Sequence, residues 1–225
     1  MRNIIFMPIR KGSKSIKNKN CTNFYKKPLF CWYIDAIIGS KTADEIWIAT
    51  DCLKVVKIAK EKYPNVHIFH RAKENATDTS PTIDVVLEFL ETKFYKEDDN
   101  FILVQATSPL TSSSDLLKLQ HKILEQKKDS YVSCVRVQKF RWTEDGIPLD
   151  YDLDKKPRRQ EYKGFLVESG AFYCSKIRNI LHTGKLISGK IGVIELGDEA
   201  IVDIDEPTDW KIGEAYMRYI KEKKL

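Results

Sequence analysis

Apolar and polar positions follow two alternating patterns along the chain. Short, nearly continuous apolar runs are typical of strands that are buried on both faces of a parallel sheet. Between them lie longer segments in which apolar residues recur at helical spacing, as with Leu53, Val56 and Ala59. The runs predict strands at residues 4–7, 46–49, 66–69, 101–104, 131–137, 170–174 and near 191–196. The longer segments predict helices at residues 29–38, 53–62, 81 to about 94, 115–126 and 207 to about 221, with Ser80 as the cap of the third helix, which starts at Pro81.

This alternation predicts an α/β fold of three layers, with helices on both faces of a mostly parallel, Rossmann-like sheet. A chain of 225 residues, 42% of them hydrophobic, can bury one substantial core, so we expect a single domain over residues 1–225. Residues 138–163 break the pattern with Trp142, Pro157 and a run of charge, and we interpret them as an insertion. The core resumes after it and includes residues 200–204.

The net charge of +6 comes from 38 basic residues spread over the whole chain, which suits either an anionic small ligand or nucleic acid. The five cysteines are widely spaced and show neither paired nor zinc-binding spacing, which predicts free thiols in a reducing compartment. The first apolar run meets Pro8 and Arg10 too early for a signal peptide, and no apolar segment approaches the roughly 20 residues that cross a bilayer. We therefore expect a soluble, cytoplasmic protein without a membrane partner.

In open parallel sheets, ligands bind beyond the carboxyl ends of the strands. Four predicted strands end in polar loops, at Pro8, Thr50, Phe69 and Val104, and we expect these loops to face one crevice. The first loop, residues 10–20, reads RKGSKSIKNKN and offers five cations, two hydroxyls and a glycine. This mixture suits a triphosphate, whose oxygens need backbone N–H groups and neutralising charge. The spacing is not that of a Walker A loop, and on composition alone a basic surface loop is an equal alternative.

Several motifs occur in the order found in CMP-sialic acid synthetases. The loop RKGSKSIKNKN resembles the amino-terminal signature of that family, and KKPLFCWYIDAI resembles the segment that opens its first helix. Four further segments of this chain resemble later motifs of the family: IATD at residues 48–51, RAKENATDT at 71–79, QATSPL at 105–110 and DID at 203–205. The ordered set spans nearly the whole chain, and the sequence is identified as a member of the acylneuraminate cytidylyltransferase family. The resemblance implies a sheet of the nucleotidylyltransferase type with a small dimerisation insertion at residues 138–163.

The resemblance also implies a role for individual residues. Asp203 and Asp205 would bind Mg²⁺ or Mn²⁺, and Gln105 would lie beside the acceptor sugar. Arg71, with the backbone near Ser80, would read the cytosine of CTP. Two residues, Arg159 and Gln160, would contact the sugar. The phosphates and ribose of CTP would be held by Arg10, Ser13, Lys14, Lys19 and Asn20. The residues with an implied catalytic role, which is to neutralise charge, are Arg10, Lys14, Lys19 and Asp205.

Most of these residues also have a simpler interpretation. Asp203 and Asp205 stand two positions apart on an extended segment and could share one hard cation, or they could cap the helix that starts at Pro207. The simpler roles of the remaining side chains are an ion pair of Arg71 with Glu74 or Asp78, a turn-stabilising role for Gln105, and a solvated charge run for Arg158, Arg159 and Lys163.

Four residues differ from the usual motifs of the family. Lys11 and Ser15 stand where glycines are common, so the loop must adjust if either position needs a positive φ angle. Thr111 stands where an arginine usually follows Ser-Pro-Leu, and Glu168 would repel a carboxylate if it faced the pocket. These differences leave the sugar open among sialic acid, its deaminated form and the bacterial diacetamido nonulosonates.

The function that follows is transfer of CMP from CTP to the anomeric hydroxyl of a nonulosonic acid, N-acetylneuraminate or a close relative, with release of pyrophosphate. The alternative within the same sheet type is an enzyme for Kdo, legionaminate, pseudaminate or a sugar 1-phosphate. A nucleic-acid-binding module is disfavoured, because the densest basic cluster lies in a strand-to-helix phosphate loop. In the family the insertion exchanges between two subunits, so the resemblance implies a homodimer, to which an exposed Phe140 and Trp142 would contribute.

Overall fold

The computed structural model describes residues 1–13, 15–72, 74–77, 80–92 and 95–223. Strands and helices alternate along these residues. The strands are β1 (Asn3–Ile9), β2 (Asn23–Phe24), β3 (Lys27–Pro28), β4 (Glu45–Thr50), β5 (His67–Phe69), β6 (Asn100–Val104), β7 (Ser130–Val137), β8 (Phe165–Lys176) and β9 (Ile191–Leu196). The α-helices are α1 (Leu29–Ser40), α2 (Leu53–Lys62), α3 (Thr82–Thr92), α4 (Ser113–Leu124), α5 (Ile177–Thr183) and α6 (Pro207–Glu222). Among the residues described, no helix is long and apolar enough to cross a membrane.

Seven of the described strands form one sheet in the order β5-β4-β1-β6-β8-β7-β9, and β2 pairs with β3 in a separate short hairpin. The four neighbours β5, β4, β1 and β6 are parallel. Strand β8 runs antiparallel to both β6 and β7, whereas β7 is parallel to β9. The mostly parallel α/β sheet predicted from the apolar runs is therefore confirmed.

Strand β1 shows how the three layers are held together. Successive side chains of a strand point to opposite faces of the sheet. Ile5 and Met7 belong to the apolar cluster beneath α1, α2 and α4, whereas Ile4 and Phe6 belong to the cluster beneath α3 and α5. On the second face the ring centroids of Phe6 and Phe89 lie 4.8 Å apart. Because both faces are buried, apolar residues follow one another without a break from residue 4 to residue 9.

Two elements differ from the prediction. Strand β8 begins at Phe165, five residues before the predicted start at residue 170. Gly170 has a φ angle of 72°, and the pairing of β8 with β7 shifts register between Val132 and Cys134. The glycine therefore marks an irregularity inside a long strand, whereas the sequence pattern placed the start of a strand there. Helix α5 occupies a segment for which no element was predicted.

The start of α3 also differs from the prediction. The helix begins at Thr82 and not at Pro81. The hydroxyl of Ser80 donates to the Glu74 carbonyl oxygen at 2.8 Å, so this residue braces the preceding loop. The predicted end of the helix, near residue 94, lies outside the described residues.

Between β7 and β8 the chain makes an irregular excursion with a short 3₁₀-helix and one isolated β-bridge. Phe140 is half-buried there, with its ring 4.9 Å from that of Tyr151 and 4.8 Å from that of Tyr162. The expectation of an exposed Phe140 is therefore wrong, because the excursion forms a small aromatic cluster of its own. Trp142 is 49% exposed, as expected.

Candidate active site

The carboxyl ends of the parallel strands meet at one edge of the sheet, where a cleft opens. Its residues come from the loop after β1, the loop after β5, the turn after β6 and the segment before α6. The predicted crevice is therefore confirmed for three of the four loops. The loop after β4 contributes no residue to the lining, and its Asp51 instead binds the loop after β1. The lining consists of Pro8, Arg10, Gly12, Ser13, Lys19, Asn20, Arg71, Thr77, Ser80, Thr82, Val85, Gln105, Ala106, Thr107, Asp203 and Asp205.

This cleft brings together most of the predicted site residues. All described residues that were predicted to bind the nucleotide or the metal line this cleft, and so does Gln105. Lys14 lies outside the described residues. Arg159 and Gln160 are exposed in the excursion between β7 and β8 and are not part of this lining.

Two residues in left-handed conformation shape the basic loop at residues 10–20, Gly12 with a φ of 85° and Asn18 with a φ of 55°. Glycine adopts such angles without steric cost, and asparagine is among the few other residues that tolerate them. Lys11 does not have a positive φ angle, so this position does not need the glycine that the family motif would place there. The φ angle of Ser15 depends on Lys14, which lies outside the described residues. The backbone N–H of Lys11 donates to the Asp51 carboxylate at 2.5 Å, which ties the loop to the end of β4.

Lys19 connects the basic loop to the segment before α6. Its side chain is buried, and its ammonium group donates to the Ile204 carbonyl oxygen at 2.5 Å and to the Asp205 carboxylate at 2.9 Å. A buried ammonium group must be paired and hydrogen-bonded to be tolerated. The pairing therefore places a cation and a carboxylate from opposite ends of the chain side by side in the cleft.

Asp203 and Asp205 have different environments. The Asp205 side chain is 69% exposed and is held by Lys19. The Oδ1 atom of Asp203 is buried and has no hydrogen-bond partner in the described residues. Burial raises the pKa of Asp203, and the charge of Asp205 adds to this rise, against a hydrogen bond from Thr107 that lowers it. A buried carboxylate oxygen without a donor is a group that a hard cation would satisfy.

The alternative role for these aspartates was to cap α6. The structure gives that role to Glu206 and Asp209, which form a capping box. The Asp209 carboxylate accepts from the backbone N–H of Glu206 at 2.7 Å and from that of Asp205 at 3.1 Å. Helix capping therefore does not account for the side chains of Asp203 and Asp205.

These two carboxylates fit a divalent cation that is shared with a phosphate ligand. In the described part of the chain, no group of three or more acidic, histidine or cysteine side chains could hold a metal ion. Mg²⁺ in nucleotide sites is commonly held by one or two carboxylates, substrate phosphates and water. Asp203 and Asp205 supply the first part of such a set, and the basic loop faces the space where phosphates would supply the second.

Arg71 is the cation of the loop after β5. One of its terminal nitrogens donates to the Asn75 carbonyl oxygen, and its Nε atom is buried without a hydrogen-bond partner in the described residues. Burial lowers the pKa of Arg71, while the charges of Asp51 and Glu88 raise it. The alternative ion pair with Glu74 does not form, and Asp78 lies outside the described residues. Arg71 thus presents an incompletely bonded guanidinium group to the cleft.

Gln105 lies where β6 ends and β8 passes beside it. A Cβ atom at Gly170 would lie 2.9 Å from Gln105 Oε1 and 3.6 Å from Asp203 Oδ2, so the glycine leaves room for both side chains. The turn itself is held by the backbone, since the Ser108 N–H donates to the Gln105 carbonyl oxygen at 3.1 Å. The side-chain amide makes no hydrogen bond to any residue that the structure describes.

Two of the residues that differ from the family motifs stand apart from the cleft. Glu168 accepts a hydrogen bond from the Tyr173 hydroxyl and does not line the cleft. Thr111 is 3% exposed and is likewise absent from the lining. Neither side chain therefore contributes charge or bulk to this cleft.

Three supporting residues were missed from the sequence. Glu88 on α3 accepts from the Ala72 N–H and from the Asn75 side chain, both at 2.7 Å, and so shapes the loop that carries Arg71. The Thr107 carbonyl oxygen accepts from the Ile204 N–H at 2.8 Å, beside Asp203. Asp51 in IATD and Thr107 in QATSPL both lie in motifs that the sequence offered, whereas Glu88 had no sequence signal.

The mostly parallel sheet with helices on both faces is a Rossmann-like α/β fold, of the type found in nucleotidylyltransferases. A similar fold, with a TM-score of 0.70 and 17% identity, occurs in CMP:2-keto-3-deoxy-manno-octonic acid synthetase complexed with CTP, over 97% of this chain and 99% of that one. The profile of the cytidylyltransferase family matches residues 4–223, and the chain belongs to this family.

Two relatives in fish are similar to this chain in sequence over most of its length. The chain is 34% identical over 212 residues to N-acylneuraminate cytidylyltransferase A of Danio rerio, covering 91% of this chain and 48% of that protein. It is 35% identical to N-acylneuraminate cytidylyltransferase of Oncorhynchus mykiss, with the same coverage of 91% and 48%. The resemblance seen in the motifs is confirmed, and the chain spans about half the length of these relatives.

Proposed function

We propose that the protein transfers CMP from CTP to the anomeric hydroxyl of a nonulosonic acid of the sialic-acid type and releases pyrophosphate. The observation that carries this proposal is the single cleft that joins the basic loop, Arg71, Gln105 and the aspartate pair in a chain of the cytidylyltransferase family. The relatives named N-acylneuraminate cytidylyltransferase support the proposed acceptor class.

In the proposed reaction, the anomeric oxygen of the acceptor attacks the α-phosphorus of CTP. The bond from that phosphorus to the bridging oxygen breaks, pyrophosphate leaves, and the hydroxyl proton is released. Such a transfer depends on positioning and charge neutralisation more than on covalent help from the protein. Arg10, Lys14 and Lys19 are proposed to neutralise the phosphates, with Ser13 and Asn20 as hydrogen-bonding partners of the phosphates and ribose.

We propose Mg²⁺ or Mn²⁺ as the metal, held by Asp203 and Asp205. When bound, it would neutralise charge on the phosphate oxygens. The support is the unsatisfied Oδ1 atom of Asp203 and the rise in the pKa of this residue that burial causes. Lys19 would keep Asp205 in position, because the two side chains are already paired at 2.9 Å.

Recognition of cytosine is assigned to Arg71, whose flat guanidinium group can donate two parallel hydrogen bonds to a base. Its neighbour Ser80 lines the same cleft and would offer its backbone to the base. Gln105, with an amide that makes no hydrogen bond among the described residues, would contact the acceptor sugar.

The acceptor pocket is proposed to be completed by a second subunit. Arg159 and Gln160 lie on the exposed excursion, outside the cleft of their own chain, so the sugar contacts that the family resemblance assigns to them would be made in a neighbour. Exposed apolar side chains on the excursion support such an interface: Trp142, Ile147, Leu149 and Leu153 are 49%, 59%, 56% and 67% exposed. We also propose that the enzyme works in the cytoplasm, and its five free cysteines suit that reducing compartment.

The test is pyrophosphate release from CTP with a panel of acceptors: N-acetylneuraminate, its deaminated form, legionaminate, pseudaminate, Kdo and a sugar 1-phosphate. We expect release with one or more nonulosonic acids and with CTP in preference to ATP, GTP and UTP. Release only with Kdo or with a sugar 1-phosphate would overturn the acceptor class. Release from another nucleotide in preference to CTP would overturn the role of Arg71.

A further inference from the structure

A second concave site lies at the opposite edge of the sheet. We call it the amino-edge pocket, because it opens where β6 begins and β8 ends. Its volume of about 310 Å³ is close to the 320 Å³ of the cleft. Strand β6, which joins the two edges, is five residues long, and this corresponds to a separation of about 15 Å. The two sites are therefore distinct, and a ligand of nucleotide size could occupy either one.

The amino-edge pocket is strongly basic. Four separate segments bring cations to it: the loop between α4 and β7, the end of β8, the start of α5 and the loop before β9. These cations are Lys127, Lys128, Lys176, Arg178 and Lys190, and the one acid in the described lining is Asp129.

Nearby carboxylates compensate part of this charge. Asp98 lies 2.7 Å from Arg178 and 3.8 Å from Lys176, and Glu125 lies 3.3 Å from Lys127. Lys128 and Lys190 have no ion-pair partner in the part of the chain that the structure describes. Both are exposed at the pocket, so two uncompensated ammonium groups from different loops flank one concavity.

Asp129 holds these two loops together. Its carboxylate accepts from the Lys190 N–H at 2.7 Å, and its own N–H donates to the Lys190 carbonyl oxygen at 2.9 Å. The Asn179 side chain donates to the Asp129 carbonyl oxygen at 3.2 Å. The backbones of the loops that carry Lys128 and Lys190 are thus held together, and both side chains border the same pocket.

We propose that the amino-edge pocket binds a small ligand through a pyrophosphate unit, either free pyrophosphate or the phosphate chain of a nucleotide. A unit with several negative charges matches cations that approach from several directions. This site is separate from the cleft and does not depend on the reaction proposed there.

The experiment measures equilibrium binding of labelled pyrophosphate at low ionic strength. The test variant is Lys128→Gln with Lys190→Gln, which keeps much of the length of both side chains and removes two charges. The control, Lys60→Gln with Lys211→Gln, removes two exposed charges from α2 and α6. Arg10→Ala weakens the cleft, so that the amino-edge pocket can be observed alone. Thermal melting of each variant verifies that it is folded.

We expect the test variant to lose one bound equivalent of pyrophosphate and the control to lose none. In the Arg10→Ala background, one equivalent should remain, and the Lys128/Lys190 changes should abolish it. Displacement of that equivalent by ATP identifies nucleotide phosphates as ligands, and displacement by pyrophosphate alone identifies the free anion. An equivalent that survives the Lys128/Lys190 changes, or that inorganic phosphate displaces as well as pyrophosphate does, overturns the proposal. Failure of the cleft to bind would be recognised separately, as a lack of any effect of Arg10→Ala.

Discussion

The carboxyl group of Asp203 combines three features that are unfavourable in a folded protein without a bound cation. It is largely removed from water, one oxygen lacks a partner in the described residues, and Asp205 is a neighbouring charge. We expect Asp203→Asn to raise the melting temperature of the metal-free protein by roughly 2–4 °C, which corresponds to about 1 kcal/mol for a chain of this size. The same change should abolish the stabilisation that Mg²⁺ with CTP gives the wild type. Scanning calorimetry measures both effects, and a lower melting temperature in the variant would contradict the assignment.

The pKa of Asp203 determines how the rise in melting temperature caused by Asp203→Asn depends on pH. Because the folded-state pKa is raised, the ionised carboxylate destabilises the protein at every pH above it. This penalty shrinks as the pH falls through the folded-state pKa, and it vanishes below the ordinary value of 3.8. We therefore expect the difference in melting temperature between the variant and the wild type to be largest near neutral pH and to narrow on acidification. A difference that stays constant down to pH 4 would show that Asp203 is not the group responsible.

Arg71 contributes shape as well as charge. A lysine at this position would keep the charge but would lose the flat donor group that can bind a base edge. We expect Arg71→Lys to raise the KM for CTP about tenfold, equivalent to ~1.4 kcal/mol, with little change in kcat. Arg218→Lys on α6 is the matched control, because Arg218 is exposed and outside the cleft. Steady-state kinetics with CTP varied would measure the effect, and equal KM values in both variants would exclude a contact of Arg71 with the base.

Two acidic residues near the start of α6 have different roles. Asp209 caps the helix, whereas Asp205 faces Lys19 and the cleft. We expect Asp209→Ala to lower the melting temperature by roughly 2–4 °C, since a lost cap removes about 1 kcal/mol, and to leave most of the activity. Asp205→Ala should do the opposite, because its carboxylate is mostly exposed: the melting temperature stays close to that of the wild type and pyrophosphate release is abolished. Full activity of Asp205→Ala would overturn the metal assignment.

Elements buried on both faces were predictable, because their composition leaves one choice. Strand β6, buried at every position, was predicted at residues 101–104 and spans Asn100–Val104. The predicted bounds of α2 and β9 also agree with the structure, because one apolar face with the period of a helix or a strand is enough to define them. Strand β8 was truncated in the prediction because Gly170, needed for space beside Gln105 and Asp203, looks like a strand boundary in the sequence. Helix α5 has only seven residues, so it offers too few turns for a periodic signal.

The same reasoning explains which site residues were predictable. Side chains that follow directly after a strand, such as Arg10 and Gln105, are placed by the sheet itself. Glu88 was not predictable, because it acts through backbone and side-chain groups of a loop that lies 13 or more residues earlier in the sequence. Its role exists only once α3 has packed beside that loop.

At the scale of the whole molecule, the sheet separates two basic regions. The parallel strands direct their loops to the cleft, where Asp203 and Asp205 balance the cations. At the opposite edge the cations converge with less compensation, and Lys128 and Lys190 have no ion-pair partner among the described residues. The amino-edge pocket therefore carries a local excess of positive charge in a concave site, which agrees with a small anionic ligand more closely than with a nucleic-acid surface.

The proposed dimer makes a prediction that a monomer cannot satisfy. If Arg159 completes the sugar pocket of the neighbouring subunit, Arg159→Ala impairs the partner's site, whereas Asp205→Ala impairs its own. A heterodimer of the two variants then contains one site with both residues intact. Co-expression with separate tags should restore about a quarter of wild-type activity, because half of the randomly paired dimers are mixed and each mixed dimer has one working site. Each variant alone should be nearly inactive with the acceptor.

If Arg159 instead served its own subunit, no mixed dimer would have an intact site, and co-expression would restore nothing. Light scattering of each preparation would confirm that the variants still pair.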